Sequence, residues 1–342
     1  MTAATTPPLD PAWQDRIRDA ILTVLVRGDR RDEPDLDRFV ALQHDYPRRE
    51  GKGLRGRLAL ASAVAHGGSA EEALPVAAAL ELFQNWVLVH DDVEDDSDER
   101  RGAPALHRTV GPAIAINVGD AMHVAMWDLL IGIRADWRDA VLREFLATIR
   151  TTAEGQHLDL TWVADGRFAV DREAYLGMVE RKTATYTVVA PLRLGAYVAG
   201  RTPHPQLTAA GRVLGRAFQI RDDVLNLTPD PEGGYGKEFA GDLYEGKRTL
   251  VLAIAFERLA DRDAERLRSL LGRPRAEILA SDVAEALALL ERCGAVQEAQ
   301  RIAERDARDG LAGLRQALAD APNREAADAI VALVETLATR DR

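Results

Sequence analysis

Val87-Leu88-Val89-His90-Asp91-Asp92-Val93-Glu94-Asp95-Asp96-Ser97-Asp98-Glu99-Arg100-Arg101-Gly102 is the stretch whose reading decides the fold. An apolar run ends in seven acids within nine positions, Asp91 to Glu99, and then in two arginines. Upstream, Leu80, Phe83, Trp86, Val87 and Leu88 are too apolar for a surface, so the segment reads as a core helix. If the helix continues to Asp95, then Asp91, Asp92 and Asp95 lie at roughly 0, 100 and 40 degrees around its axis, on one face. Buried like charges repel, and burial drives carboxylates to protonate unless a cation holds them ionised. Two readings follow. One is a charged, solvated helix end; the other is a divalent-metal site, where hard oxygen ligands point to magnesium completed by water and phosphate.

The bulk numbers narrow the partners. The chain has 342 residues, 46% hydrophobic and 29% charged, the balance of a soluble protein with an ample core. A net charge of −11 argues against sequence-independent binding to nucleic acid, so an anionic substrate needs a local basic cluster or metal. The single cysteine, Cys293, excludes a disulfide framework and a cysteine-rich zinc site, and suits a reducing cytoplasm. Residues 1–9 read as a loose tail without the pattern of a targeting segment. The apolar stretch Ala73 to Val89 carries Pro75, Glu81, Gln84 and Asn85, which favours a core helix over a membrane span.

Nearly all of the remainder has helical periodicity, and no stretch alternates with period two between hairpin turns. Helices are expected over about 10–26, 36–44, 58–65, 70–96, 114–133, 139–162, 172–198 (kinked at Pro191) and up to about Leu227. Thr228 to Gly246 reads as a long functional loop, followed by four or five more helices. The expectation is one all-α domain, 10–342, of ten or more helices.

A second acidic cluster repeats the first. Asp222, Asp223 and Asn226 have the same i, i+1, i+4 spacing as Asp91, Asp92 and Asp95, again at the end of an apolar helix. Two clusters of one geometry, facing each other, would hold several magnesium ions with room for a polyphosphate. Neither has the alternating ligands and central glycine of a calcium loop. His90-Asp91 lacks the companion histidines of a metal phosphohydrolase, so His90 reads as a core or supporting residue. Lys52 and Arg55 sit in a glycine-flanked turn that lacks the Walker spacing, and Arg55 could grip a phosphate with its fork. Arg100, Arg101, Lys182, Lys237 and Lys247 are further candidates, each also readable as a solubilising surface charge. Gln156 and Asp159 read as polar bracing between helices.

At this point the motifs resemble those of the trans-isoprenyl diphosphate synthases. Asp91-Asp92-Val93-Glu94-Asp95 with Arg100-Arg101-Gly102 is similar to their first aspartate-rich motif, and Phe218-Gln219-Ile220-Arg221-Asp222-Asp223-Val224-Leu225-Asn226 to their second. Lys182-Thr183, Gly155-Gln156 to Asp159-Leu160, and Gly246-Lys247-Arg248-Thr249 match further signatures in the right order, so the likeness covers roughly residues 51–249. It implies antiparallel helices around a deep cavity, usually in a homodimer. It also implies two to three magnesium ions on Asp91, Asp92, Asp95, Asp222, Asp223 and Asn226. Arg100, Lys182, Thr183, Gln219, Lys237 and Lys247 would hold an allylic diphosphate, and Lys52, Arg55, Gln84 and Arg101 isopentenyl diphosphate. Ionisation, condensation and proton loss need no Ser, Cys or His nucleophile.

Three positions depart from the family pattern. Gln84 stands where histidine is common, Gly56 where the basic turn usually ends in proline, and Asn226 where the second motif usually ends in aspartate. Trp86, one and a half turns before Asp91, would form the floor of the cavity and limit the product to C20, with C15 next; Phe83 and Val87 are the alternative floors. A class I terpene cyclase would lack the second Asp-Asp motif and the Lys52–Arg55 site. A non-catalytic subunit of a heteromeric synthase would tend to lose aspartates that this chain keeps.

Overall fold

The computed structural model describes residues 9–26, 33–49, 51–228 and 238–338. In chain order the helices are α1 (Pro11–Val24), α2 (Pro34–Gln43), α3 (Asp45–Arg48), α4 (Leu54–Ala65), α5 (Ala70–Glu94), α6 (Leu106–Val110), α7 (Pro112–Ile131) and α8 (Arg138–Ala164). Then follow α9 (Arg172–Val179), a wide π-helical segment (Glu180–Val189), α10 (Ala190–Val198), α11 (Pro205–Asn226), α12 (Gly241–Tyr244), α13 (Leu250–Arg258) and α14 (Asp261–Leu271). A 3-10 turn (Arg275–Glu277) leads to α15 (Ala280–Arg292), α16 (Ala295–Ala317) and α17 (Arg324–Ala338). The one sheet among the described residues is a two-residue hairpin, β1 (Glu99–Arg100) with β2 (Ala103–Pro104). The all-α expectation holds.

The chain forms two compact units. Among the described residues, the first comprises those within 1–148, 186–208 and 313–333; the second comprises those within 149–185, 209–312 and 334–338. In the first unit α5 is the central element, packed by α4 on one side and α7 on another. Ser69 caps it by accepting from Glu71 N–H. Its Leu80, Leu82 and Phe83 are buried on successive faces, so it is a core helix all round rather than an amphipathic one. Each such side chain contributes about 1.5–3 kcal/mol by leaving water. α10 lies backbone against backbone on α4: a Cβ at Gly195 would sit 2.6 Å from Ala59 O. The second unit has its core around Trp162, Tyr175, Ile220, Val251, Leu267 and Leu290.

Several local expectations shift. Arg55 lies inside the first turn of α4, not in a loop before it. The expected kink at Pro191 is instead a widening upstream of it, over 180–189, because the proline nitrogen cannot donate to the carbonyl of Thr187. The loop expected over 228–246 contains the short helix α12, and α6 fills the connection after Pro104. By length and composition alone α5 and α7 could each cross a membrane, but 61% of the most apolar window of α5 is buried in the protein.

Candidate active site

The first acidic motif lies where α5 ends. Asp95 closes the helix by donating its N–H to Asp91 O, and Ser97 N–H reaches Asp92 O, 3.0 Å away. The chain then reverses through Arg101 and Gly102, at φ 53° and 71°, the two left-handed positions that a tight hairpin requires. A left-handed arginine is strained by roughly 1–2 kcal/mol. The turn sends the two arginines different ways. Arg100 turns back on the helix, donating from Nε (2.8 Å) and from Nη2 to Asp92 Oδ1, with Asp91 at 3.7 Å. Asp92 is fully buried, and its other oxygen accepts the hydroxyl of Tyr46. Burial opposes the charge on Arg100, but Asp92 more than compensates and holds its pKa above the ordinary value. Asp92 was expected as a metal ligand. In the structure both of its oxygens serve Arg100 and Tyr46, while Asp91 and Asp95 stay partly exposed.

Arg101 points the other way. Its Nη1 donates to Tyr46 O (2.8 Å), Arg49 O (3.1 Å) and Asn85 Oδ1 (3.3 Å). Its pKa is lowered, first by burial and further by Arg100 and Arg55, against the pull of Glu81. Arg55 is 6% exposed; Nη2 donates to Thr187 Oγ1 (2.8 Å) and the guanidinium lies 4.4 Å over the Tyr186 ring. Lys52 is exposed and Gln84 half-buried. Gly56, where proline was expected, donates its N–H to the buried carboxylate of Glu81 at 2.8 Å. Proline has no such proton, so glycine and Glu81 form a matched pair.

Two of the three residues proposed as a floor, Phe83 and Trp86, join a continuous aromatic run. Phe83 meets Tyr186 edge-on at 5.4 Å and Trp86 at 5.5 Å. Trp86 stacks flat on His123 of α7, with ring centroids 3.9 Å apart. Trp127 Nε1 then donates to His123 Nε2 at 3.0 Å. Val87 is half-buried. His90 supports the same contact, with Nε2 3.2 Å from Ile116 O. Gly119 makes room, since a Cβ there would collide with the His90 ring.

In the second unit, two close helix approaches build the counterpart. A Cβ at Gly155 would overlap the backbone of Lys182, and one at Gly215 would overlap Ala184. α8 and α11 therefore press on the segment that carries Lys182 and Thr183. Lys182 Nζ lies 2.6 Å from Asp159, which makes Asp159 the bracing residue expected of it. Thr183 Oγ1 donates to Gln219 Oε1 (2.9 Å), and Gln219 Nε2 donates to Asp223 Oδ1 (2.8 Å). Tyr175 completes the set, its hydroxyl donating to Asp223 Oδ2 at 2.6 Å. Burial and then the nearby Asp242 push the Asp223 carboxyl up to about 8, although Tyr175 and Gln219 both favour its ionised form. Asn226, expected as a metal ligand, spends its amide on the following loop. Its Oδ1 accepts Asp242 N–H (3.1 Å) and its Nδ2 donates to Glu238 O (3.2 Å). Asp242 thus joins Asp222 and Asp223 as the third acid around the motif. Lys247 Nζ is 2.6 Å from Glu245 and 3.9 Å from Asp242. Lys237 lies outside the described residues.

Sequence reasoning missed Tyr46 and Tyr175, the two hydroxyls that hold Asp92 and Asp223. Among the described residues no three His, Cys, Asp or Glu side chains form a ready metal cage. The donors themselves suit magnesium, which takes one or two carboxylates and fills its remaining positions with water and phosphate. The fit is strongest at Asp223, a buried carboxylate that faces Asp242 and Asp222 and accepts from the neutral Tyr175 and Gln219.

The sequence model of the family described as Polyprenyl synthetase matches residues 38–290. A short chain isoprenyl diphosphate synthase of Methanothermobacter thermautotrophicus is 38% identical over 259 residues, covering 74% of this chain and 76% of that protein. A geranylgeranyl diphosphate synthase of Mycobacterium tuberculosis is 36% identical over 272 residues, 78% of this chain and 76% of the relative. The crystal structure of a geranylgeranyl pyrophosphate synthase from Corynebacterium glutamicum, complexed with isoprenyl diphosphate and magnesium, superposes with a TM-score of 0.84. It is 29% identical and covers 97% of this chain and 99% of its own. By fold and likeness the protein is a prenyltransferase. It belongs to the polyprenyl synthetase family.

Proposed function

We propose that this prenyltransferase condenses isopentenyl diphosphate with an allylic diphosphate to a short-chain product, with C20 the favoured length and C15 the alternative. The observation that carries the reading is the charge layout: two aspartate-rich helix ends, each beside basic residues that the family likeness assigns to diphosphates. Asp91 and Asp95, with Asp92 behind them, and Asp222, Asp223 and Asp242 would hold two to three magnesium ions. When bound, that metal supplies positive charge to the departing diphosphate. Arg100, Lys182 and Lys247 take up the charge that develops as the allylic C–O bond breaks, with Thr183 and Gln219 orienting the group; Lys237 joins them by resemblance alone. Lys52, Arg55, Gln84 and Arg101 hold isopentenyl diphosphate so that its double bond attacks the allylic carbon. The proton then lost goes to the released diphosphate. Asn226 acts by holding Asp242.

Trp86 ends the growing chain. Its ring is clamped between Phe83 and His123, which supports a fixed floor. The partner is a second copy of the chain: α7 exposes Ile116, Val124 and Ile131, an apolar face that a homodimer would cover. The single cysteine, Cys293, supports a reducing, cytoplasmic setting for the reaction.

The test is incubation of purified protein with magnesium, isopentenyl diphosphate and dimethylallyl, geranyl or farnesyl diphosphate, with products separated by chain length. A C20 diphosphate is expected. Absence of any condensation product sinks the reading, and a hydrocarbon formed without isopentenyl diphosphate would make the protein a cyclase.

A further inference from the structure

We propose that Tyr46 is a positioning residue for the allylic diphosphate, acting through Asp92 on the guanidinium of Arg100. The inference rests on the reading of Arg100 as an allylic-diphosphate ligand. Tyr46 is fully buried in α3, and its hydroxyl has two partners. It accepts from Leu106 N–H at 3.1 Å and donates to Asp92 Oδ2. A phenol has one proton, so the Leu106 donor leaves that proton to Asp92 and fixes its direction. The opposite oxygen of Asp92 takes both Nε and Nη2 of Arg100. The carboxylate is therefore held from two sides, and its plane sets the angle of the arginine fork.

The ring itself is anchored independently of the hydroxyl. Arg49 lies 4.7 Å over it, tied to Asp45 at 2.7 Å and to the carbonyls of Arg100 and Pro104 at 2.9 Å each. Removing only the hydroxyl would leave Asp92 Oδ2 and Leu106 N–H buried without a partner. The carboxylate would then turn both oxygens to Arg100 and draw the fork away from its phosphate. Arg101 is held by the same residue through its main chain, Nη1 to Tyr46 O at 2.8 Å. One tyrosine thus addresses two arginines by two different atoms, and loss of the hydroxyl should disturb only one of them.

The experiment measures KM for each substrate in full-length Tyr46→Phe, Arg100→Lys and the double variant. For Tyr46→Phe the KM of the allylic diphosphate should rise about fivefold or more, while that of isopentenyl diphosphate stays within about twofold. The double variant should fall short of the product of the two single effects, because both act on one contact. An equal rise in both KM values would mean general loosening and overturn the proposal, as would an unchanged allylic KM in Tyr46→Phe when Arg100→Lys raises it. An unchanged allylic KM in Arg100→Lys would overturn the reading of Arg100, and this inference with it.

Discussion

The ends of α5 and α11 carry acids at the same spacing yet solve the burial of a carboxylate in opposite ways. At α5 the inward acid, Asp92, meets a guanidinium and a phenol, so the charge is balanced within the protein. At α11 the inward acid, Asp223, meets a phenol and an amide, both neutral, and faces Asp242. Its carboxyl is consequently pushed up to about 8, chiefly by burial. Identical spacing therefore does not mean identical electrostatics. The first motif is a finished ion pair with outer acids beside it; the second is an acid-rich helix end that would gain most from a divalent cation.

The largest effect should follow removal of an outer acid from either end. Asp91→Ala and Asp222→Ala should each lower kcat by about 10²–10³-fold, the scale seen when a preorganised electrostatic group is lost. Steady-state assays at saturating substrate check this; an effect confined to one end would break the symmetry of function. Next comes Asn226→Ala, which frees Asp242 from its anchor. Loss of two hydrogen bonds should cost about 1–3 kcal/mol in chemical denaturation, with reduced affinity for magnesium in titration calorimetry. Asn226→Asp keeps an acceptor for Asp242 N–H but loses the donor to Glu238 O, so it should recover only part of that stability; full recovery would break the case that position 226 acts on the loop. Gly56→Pro, which removes one N–H from the buried Glu81, should cost a similar amount, about 1–3 kcal/mol. Trp86→Ala should change turnover least but lengthen the product beyond C20; unchanged chain length would remove Trp86 as the floor.

Much of this was readable from residue order. Helical periodicity and the absence of alternating strands gave the all-α class, and the paired spacing of Asp91, Asp92 and Asp95 with Asp222, Asp223 and Asn226 pointed to metal. The hydroxyls of Tyr46 and Tyr175 were not readable, because each comes from a helix distant in sequence and has no motif of its own. The orientation of an individual aspartate was equally hidden. Spacing places three acids on one face, but which of them turns inward depends on the donors that neighbouring helices bring. Likewise, Pro191 announces a distortion, while its form as a wide segment upstream depends on what the turn packs against. Gly155 and Gly215 make sense only once the helix they touch is known.

Thermal unfolding of Asp92→Asn and Asp223→Asn in chelator, each against the parent chain, tests the contrast most directly. Asp92→Asn takes from Arg100 its nearest counter-charge, leaving only Asp91 at 3.7 Å, and should lose about 3–5 kcal/mol. Asp223→Asn removes a buried acid from among acids, so its Tm without metal should hold or rise, while the stabilisation that magnesium gives the parent should shrink. A fall of similar size in both variants, with magnesium stabilising both as it does the parent, would contradict the account.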